Sequence, residues 1–377
     1  MKKVLLVSFS NLYSDPRLLR QYEALKNNYE IYTCANKPFE DKQISFYPIY
    51  ESLPFSAGRK LKRLFQFALR RFDALYWDDN KKRIVSHYQN YTFDLIIAND
   101  ISSLPLALAI ADGTGKVYFD AHEYHPREWE DNLKWNLLYK KFINYLCKTY
   151  IPKANLFSTV CESIAVEYEK YTGVRPIVIT NASDYYDLKP ADTSENKIRI
   201  IHHGAAIPSR KMELMIDMMK FLDARFTLDF MLTSLDAGYL ESLKRRASGN
   251  PKINFPPPVK QNKICSVINQ YDIGLFLLPA ANFNYRFALP NKIYDFIQAR
   301  LCIAVSPSPE MAQLVRRYDL GIIAENFSPM AMAQKINALT KEKIMEYKQQ
   351  AHLHARSLSS EENIKKIRDM AVQLTTV

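Results

Sequence analysis

The segment best suited to binding an anion combines a proline, a cation and a carboxylate at helical spacing. Pro290 suits the first turn of a helix, because the N–H that it lacks would be unpaired there. The amides of Asn291 and Lys292 would then be free at the positive helix end, which binds phosphate without a glycine loop. Asp295 follows one turn later and could accept hydrogen bonds from a sugar diol. The same pattern also fits an ordinary capped helix with a solvated aspartate.

A second candidate for an anion site begins where a predicted strand ends at Gly204. A short loop follows, and a helix is predicted to start near Ser209, which places Arg210 and Lys211 where a diphosphate could approach the helix N-terminus. The alternative is that Ser209 caps the helix and both cations are solvated. Only 9 of the 377 residues are glycine, so any phosphate site here is not a glycine-rich loop.

A histidine lies at the carboxyl end of a strand predicted over residues 117–120. This strand delivers Asp120, His122 and Glu123 to the edge where open α/β sheets hold their ligands. We therefore favour a functional role for His122, and the alternative is a histidine that makes only a local hydrogen bond. HExxH spacing and Asp-x-Asp triplets are absent, and the five cysteines do not have zinc-ligand spacing. The sequence therefore predicts no metal site.

The loop after the first predicted strand leads into a helix that contains further polar candidates. Pro16 suits the first turn of this helix, with Asp15 or Ser14 as its cap. Arg17 could then point toward a ligand. A well-capped helix without any binding role explains the same residues.

A strongly basic segment follows at residues 59–72. Its apolar residues recur at helical i, i+3 and i+4 spacing, which predicts an amphipathic helix. Such a helix can lie on an anionic membrane, or it can pack on a sheet and leave its basic face solvated. The two arrangements are compatible if the apolar stripe packs inward while the cations contact lipid. The cations predicted to face the membrane are Arg59, Lys60, Lys62, Arg63, Arg70 and Arg71.

Short β-branched runs alternate with longer helical patterns, which predicts α/β structure with parallel sheets. The pattern restarts once, after a polar stretch at residues 181–197, and this predicts a linker between two Rossmann-like halves. We place the N-terminal domain at 1–185 and the C-terminal domain at 186–355. A helix at 356–377 could cross back to the first domain. The predicted strands are 4–9, 30–34, 94–98, 117–120, 156–160, 198–202, 228–232, 273–277, 302–306 and 321–323.

Composition excludes several classes of protein. Apolar residues make up 47% and charged residues 24%, as in a folded globular chain rather than a disordered or coiled-coil one. No stretch of about 18 apolar residues could span a membrane, and we predict a strand rather than a signal peptide at residues 1–7. Scattered cysteines favour a cytoplasmic setting. The net charge of +11 favours anionic partners, but no nucleic-acid-binding module is recognisable.

The order and spacing of these segments resemble the group 1, family four glycosyltransferases, which have the two-domain GT-B fold. The resemblance implies parallel sheets facing across a cleft, with His122 toward the transferred sugar and the acceptor near Asp15 and Arg17. The donor side would be formed by Arg210, Lys211, Asn291, Lys292 and Asp295. The matching segments are 14–17, 119–123, 204–214, 289–292 with Asp295, and 302–306 with Pro309 and Glu310.

Two positions depart from the pattern of this family. The family's Glu-x7-Glu signature has its second glutamate at Asp295, which would bind the nucleotide ribose, but Phe287 replaces the first. The usual diphosphate-binding arginine falls on Ala205 and its lysine on Arg210. Lys211 or Lys292 could supply the missing charge.

The resemblance implies a retaining, metal-independent glycosyltransferase of bacterial surface-polysaccharide assembly that needs no cofactor. Its partners would be a nucleotide-sugar donor, a glycan or lipid-linked acceptor and an anionic membrane surface at the inner face of the cytoplasmic membrane. Nucleic acid is not expected. Two alternatives stay open, namely a nucleotide-sugar epimerase of the same fold and a catalytically silent nucleotide-sugar-binding subunit.

Overall fold

The computed structural model describes residues 1–40, 44–49, 57–234 and 236–376, with the backbone alone at residues 14, 57 and 59–61. The chain forms two compact units. Unit 1 comprises Met1–Thr180, Asn282–Asn284 and Asn363–Val377, and unit 2 comprises Asn181–Ala281 and Tyr285–Glu362.

Unit 1 is built on a parallel sheet of seven strands in the order β3-β2-β1-β4-β5-β6-β7. Its central strands contain runs of buried apolar residues, as expected for a parallel sheet covered by helices on both faces. The strands are β1 (Lys2–Ser8), β2 (Tyr29–Ala35), β3 (Ser45–Pro48), β4 (Leu95–Asn99), β5 (Lys116–Ala121), β6 (Leu156–Thr159) and β7 (Ile177–Val178). The helices that precede unit 2 are α1 (Pro16–Leu25), α2 (Ala57–Ala68), α3 (Phe72–Tyr76), α4 (Asp79–Tyr88), α5 (Leu104–Ala111), α6 (Leu133–Leu138), α7 (Lys140–Tyr150) and α8 (Glu162–Thr172).

Unit 2 repeats this plan with a parallel sheet of six strands in the order β10-β9-β8-β11-β12-β13. The strands are β8 (Ile198–Ala206), β9 (Phe226–Ser234), β10 (Ile253–Asn254), β11 (Ile273–Phe276), β12 (Cys302–Val305) and β13 (Gly321–Ile323). The helices are α9 (Glu213–Met218), α10 (Ala237–Ala247), α11 (Ile264–Ile268), α13 (Asn291–Gln298), α14 (Pro309–Arg317), α15 (Pro329–Asn337) and α16 (Lys341–His354), and the short α12 (Phe283–Arg286) is divided between the two units.

The last helix, α17 (Ser360–Thr376), belongs to unit 1 from Asn363 onward. One face of this helix contributes Ile367, Met370 and Leu374 to the apolar core that also contains Val4 and Leu6 of β1. The C-terminal segment of the chain therefore completes the core that its first strand begins.

The predicted α/β class, with two Rossmann-like units on parallel sheets, is confirmed. Among the described residues, no helix is long and apolar enough to cross a membrane. The predicted start of α13 needs a correction of one position. Pro290 has extended backbone dihedrals and is the N-cap, so Asn291 is the first helical residue.

Candidate functional site

A buried lysine is the centre of the candidate site in unit 2, where the carboxyl ends of β8 and β11 meet the start of α13. The amine of Lys292 donates a hydrogen bond to Nε2 of His202 over 3.1 Å and lies 4.3 Å from the centre of the Phe276 ring. Nδ1 of His202 donates to the carbonyl of Leu275 over 2.9 Å. Because that bond places the imidazole proton on Nδ1, Nε2 is left as an acceptor that fixes the position of the amine.

The backbone beside this amine requires a glycine. Gly204 has a φ of +117°, in the region that side chains rarely adopt, and a Cβ there would lie 3.5 Å from Nζ of Lys292. The end of β8 therefore packs directly against the buried amine.

Two cations are close enough to influence each other at this sheet edge. Burial lowers the pKa of Lys292 well below its ordinary value, and the charge of Arg210 lowers it further, while Asp295 opposes both effects. Arg210 forms no ion pair within the described part of the chain. Two basic groups held together with little compensating negative charge are suited to an anionic ligand.

The carboxylate of Asp295 lies one turn into α13, beside the hydroxyl of Ser183 and the imidazole of His203. Its Oδ1 accepts a hydrogen bond of 2.5 Å from the hydroxyl of Ser183, and its Oδ2 lies 3.5 Å from Nε2 of His203. Burial raises the pKa of Asp295 to about 6, against the opposing effects of the Ser183 hydrogen bond and the Lys292 charge. Burial and the charge of Lys292 lower the pKa of His203 to about 3, so this imidazole is neutral at pH 7.

Lys292 and Asp295 lie one turn apart on α13 and the charge of Arg210 acts on Lys292, whereas Lys211 is directed away from them. Lys211 has a left-handed φ of +52°, its side chain is 60% exposed, and its amine lies 3.9 Å from the carboxylate of Glu213. Asn291 lies at the first helical position beside the cluster, where its backbone amide is at the positive end of α13.

His122 follows β5 in unit 1 and lies between two carboxylates. Its Nδ1 is 3.4 Å from Asp100, while its buried Nε2 is 3.9 Å from Asp120 and has no hydrogen-bond partner among the described residues. Burial alone would raise the pKa of Asp100. The charge of His122 and a hydrogen bond from His125 outweigh that effect, so the pKa of Asp100 is lowered. A stably ionised Asp100 can orient the His122 ring and leave Nε2 for a ligand.

Arg17 is buried rather than directed outward. Its guanidinium binds Asp120 through two contacts, Nη2 to Oδ1 at 2.5 Å and Nε to Oδ2 at 3.2 Å. Burial alone would raise the pKa of Asp120, but the charge of Arg17 opposes this effect and the pKa of Asp120 is lowered. Arg17 therefore acts on the His122 environment through Asp120 and cannot reach a ligand directly in this structure.

Asp15 caps α1 by accepting a hydrogen bond of 3.0 Å from the amide of Arg17. It also lines an open depression of about 520 Å³ at the carboxyl edge of the sheet in unit 1. The other residues that line this depression are Phe9, Ser10, Asn11, Pro16 and Asn36.

The basic segment forms helix α2, but the apolar stripe predicted to pack inward does not do so throughout. Leu64, Phe65 and Leu69 are exposed, and Phe67 packs instead. Phe65 and Phe67 differ by about 200° around a helix, so they occupy opposite faces. Lys62, Arg70 and Arg71 are exposed, and the charge of Arg63 acts on Asp78. The side chains of Arg59 and Lys60 lie outside the described residues.

Several residues of the site did not emerge from the sequence analysis. The consecutive histidines His202 and His203 in the strand before the loop could have suggested a polar site. Nothing in the sequence indicates that they contact Lys292 and Asp295. Ser183 lies 112 residues before Asp295, so only the folded chain shows the contact. Among the described residues, no cluster of three or more His, Cys, Asp or Glu side chains could hold a metal ion.

No protein-family model matches this chain. No curated protein matches it either. Solved structures match over its whole length: HepE from Anabaena in complex with UDP and glucose has 14% identity, a TM-score of 0.70 and 100% coverage of both chains. Sucrose-phosphate synthase from Thermosynechococcus elongatus has 11% identity, a TM-score of 0.75 and 100% coverage of both chains. The fold is GT-B.

A third similar structure is WaaG, described as a glycosyltransferase involved in lipopolysaccharide biosynthesis. It has 10% identity and a TM-score of 0.69, with coverage of 98% of this chain and 99% of WaaG. At these identities the likeness shows the GT-B fold alone.

Proposed function

We propose that the chain is a retaining glycosyltransferase that moves a sugar from a nucleotide-sugar donor to a glycan or lipid-linked acceptor. The observation that carries the proposal is the cluster of Arg210, Lys292 and Asp295 at the carboxyl edge of the unit 2 sheet. HepE, a protein of the same fold, binds UDP and glucose, which supports a nucleotide-sugar donor for this chain.

In the proposed donor complex, the diphosphate lies against Lys292, Arg210 and the first amides of α13. Arg210 lowers the pKa of Lys292, whereas a bound diphosphate would raise it and favour the charged amine. The cations and the helix dipole would stabilise the negative charge of the departing nucleoside diphosphate, so the mechanism needs no metal ion. The carboxylate of Asp295 would accept hydrogen bonds from the ribose hydroxyls.

In the proposed transfer step, His122 contacts the sugar through Nε2. The bond from the anomeric carbon to the diphosphate breaks as the acceptor hydroxyl attacks from the same face, and the departing phosphate takes the acceptor proton. Positive charge then develops on the sugar while negative charge develops on the diphosphate, which the basic cluster stabilises. We place the acceptor near Asp15, with Arg17 acting through Asp120.

The donor site is tested by calorimetry with a panel of nucleoside diphosphates. Replacing Lys292 by alanine removes a charge-assisted contact worth about 1.5–3 kcal/mol, so we expect affinity to fall by about ten- to a hundredfold. Asp295→Ala should also weaken binding. The matched control is Lys211→Ala, which removes an exposed cation of the same segment. Unchanged affinity in both Lys292→Ala and Asp295→Ala would overturn the placement.

Activity assays distinguish the transferase from the other two hypotheses. Incubation with nucleotide sugars, followed by chromatography, would show donor isomerisation without an acceptor if the chain were an epimerase. Donor binding without any turnover across a panel of acceptors would indicate a silent binding subunit. Formation of a glycosylated acceptor with the anomeric configuration of the donor is the result that we expect.

We also propose that the enzyme works at the inner face of the cytoplasmic membrane in cell-surface polysaccharide biosynthesis. The six cations of residues 59–71 exceed the net charge of +4 carried by residues 1–185. Each such cation near an anionic surface contributes about 1 kcal/mol, and salt screens the attraction over about 8–10 Å. Cosedimentation with anionic vesicles should therefore weaken with added salt and when all six are changed to glutamine.

A further inference from the structure

A second histidine follows His122 in the loop after β5 and is buried between two carboxylates. This residue, His125, is only 3% exposed. Its Nδ1 lies 2.9 Å from Oε2 of Glu128, and its Nε2 lies 3.4 Å from Oδ1 of Asp100. The transfer step proposed above makes no use of this side chain, although its surroundings suit a cation.

The carboxylate of Asp100 links His125 to His122. Its Oδ1 faces Nε2 of His125, while its Oδ2 lies 3.4 Å from Nδ1 of His122. Oδ1 also accepts a hydrogen bond of 3.3 Å from the backbone amide of His122. The backbone of Asp100 has a left-handed φ of +65°, a conformation that is costly for residues other than glycine and that clusters at functional sites. One carboxylate therefore contacts both histidines through different oxygens.

The protonation state of His125 depends on which neighbour binds Nε2. Oδ1 of Asp100 needs a proton on this nitrogen, whereas the amide of Ile101, 3.3 Å away, needs a lone pair there. Burial alone would lower the pKa of His125, but hydrogen bonds with Asp100 and Glu128 outweigh burial and raise this pKa to about 10. The ring is therefore charged at pH 7 and can donate to a carboxylate from each nitrogen.

Two further titratable groups adjoin this histidine, and both are neutral at pH 7. The Tyr168 hydroxyl of α8 accepts a hydrogen bond of 3.0 Å from the backbone amide of His125. Cys147 lies on α7, which packs against residues 125–127. Burial raises the pKa of both groups. Among the described residues, the charged groups that contact the imidazole are therefore the two carboxylates.

We propose that His125 is a positioning residue of the transfer step. As an imidazolium between Glu128 and Asp100, it holds the Asp100 carboxylate where Oδ2 accepts the Nδ1 proton of His122. That contact fixes the His122 ring, so that Nε2 faces the sugar. The inference rests on the proposed function, because His125 acts on the reaction through His122.

Nitrogen NMR of protein with isotope-labelled histidine tests the charge and the tautomer without any substrate. In the wild type, both ring nitrogens of His125 should have imidazolium shifts at pH 7, and the neutral form of His122 should hold its proton on Nδ1. Glu128→Gln removes one carboxylate, so His125 should lose its proton at a lower pH than in the wild type. Glu130→Gln is the matched control, because this carboxylate is similarly exposed but pairs with Arg127.

A double-mutant cycle tests whether His125 acts through Asp100. His125→Asn should lower kcat about three- to tenfold and weaken the preference of His122 for the Nδ1 proton, while the KM for the donor changes little. In the Asp100→Asn background the same change should have little further effect on kcat, because both residues act through one carboxylate. A purely structural histidine would give equal losses in both backgrounds.

Three results would overturn the proposal: a neutral His125 at pH 7 that accepts from the Ile101 amide, an unchanged His122 tautomer in folded His125→Asn, or losses in kcat that add in the double variant. If His125→Asn does not fold, the NMR comparison of wild type, Glu128→Gln and Glu130→Gln decides the question. The NMR result does not depend on turnover, so it separates failure of this inference from failure of the proposed function.

Discussion

The carboxyl group of Asp295 makes the stability of unit 2 depend on pH, because its pKa is raised to about 6 in the folded chain. In the unfolded chain an aspartate ionises near pH 3.9. Between about pH 4 and 6 the folded state therefore holds a proton that the unfolded state has released, and stability falls as the pH rises. The loss amounts to about 2–3 kcal/mol and is complete above the folded pKa.

Asp295→Asn should therefore flatten the pH dependence of unfolding. We expect the melting temperature of the wild type, measured without ligand, to fall more between pH 4 and 7 than that of the variant. Asp319→Asn is a suitable control, because asparagine tolerates the left-handed backbone at this exposed position of the same unit. Parallel curves for wild type and Asp295→Asn would contradict the placement of the titrating carboxyl.

His122 should affect turnover more than folding, because its Nε2 makes no hydrogen bond within the described residues. We expect His122→Ala to lower kcat more than tenfold with little change in melting temperature. Asp100→Asn should lower kcat less, since the neutral amide weakens the orientation of the imidazole. His87→Ala removes an exposed histidine of the same unit and should leave kcat unchanged. Wild-type kcat in His122→Ala would remove this residue from the site.

Part of this site could be predicted because its residues are close in sequence. Lys292 and Asp295 share one helix turn, so their proximity follows from helix geometry. The contacts of Lys292 with His202 and of Asp295 with Ser183 depend instead on how distant strands pair. Arg17 shows a different difficulty, because residue type and spacing do not tell whether a cation meets solvent or a buried carboxylate such as Asp120.

At the scale of elements, α17 closes the core of unit 1. Ile367→Ala should lower the free energy of unfolding by about 2–4 kcal/mol, because it leaves a cavity between this helix and the sheet. Val372→Ala, on the exposed side of the same helix, should change it by less than about 0.5 kcal/mol. Urea unfolding followed by circular dichroism would measure both values, and equal effects would show that the helix packs otherwise.

Most strands were predictable, including some short ones, whereas three strands at sheet edges were not. Each predicted strand corresponds to an observed one, and β13 has the predicted bounds. The missed strands are β3, β7 and β10, which have two to four residues and pair on one side only. An edge strand buries little apolar surface, so its sequence carries a weak hydrophobic pattern.

At the scale of the molecule, the two units should respond differently to nucleotide. If the donor site is formed by unit 2, a nucleoside diphosphate should slow amide hydrogen exchange most strongly at the end of β8 and the start of α13. Exchange within α17 of unit 1 should change little, and it provides the internal comparison. Mass spectrometry of peptic fragments resolves these regions. Protection that is strongest in α17 would contradict the assignment of the nucleotide to unit 2.

Unit 1 contains chain segments that come before and after most of unit 2 in the sequence, and this order has a consequence for biosynthesis. Residues up to Thr180 leave the ribosome first, yet the helix segment that begins at Asn363 is made only after all of unit 2. The apolar surface of unit 1 that Ile367 and Met370 later cover therefore stays exposed to solvent while unit 2 emerges and folds. The usual order in which N-terminal domains finish folding first is reversed, and chaperone binding during translation should concentrate on unit 1.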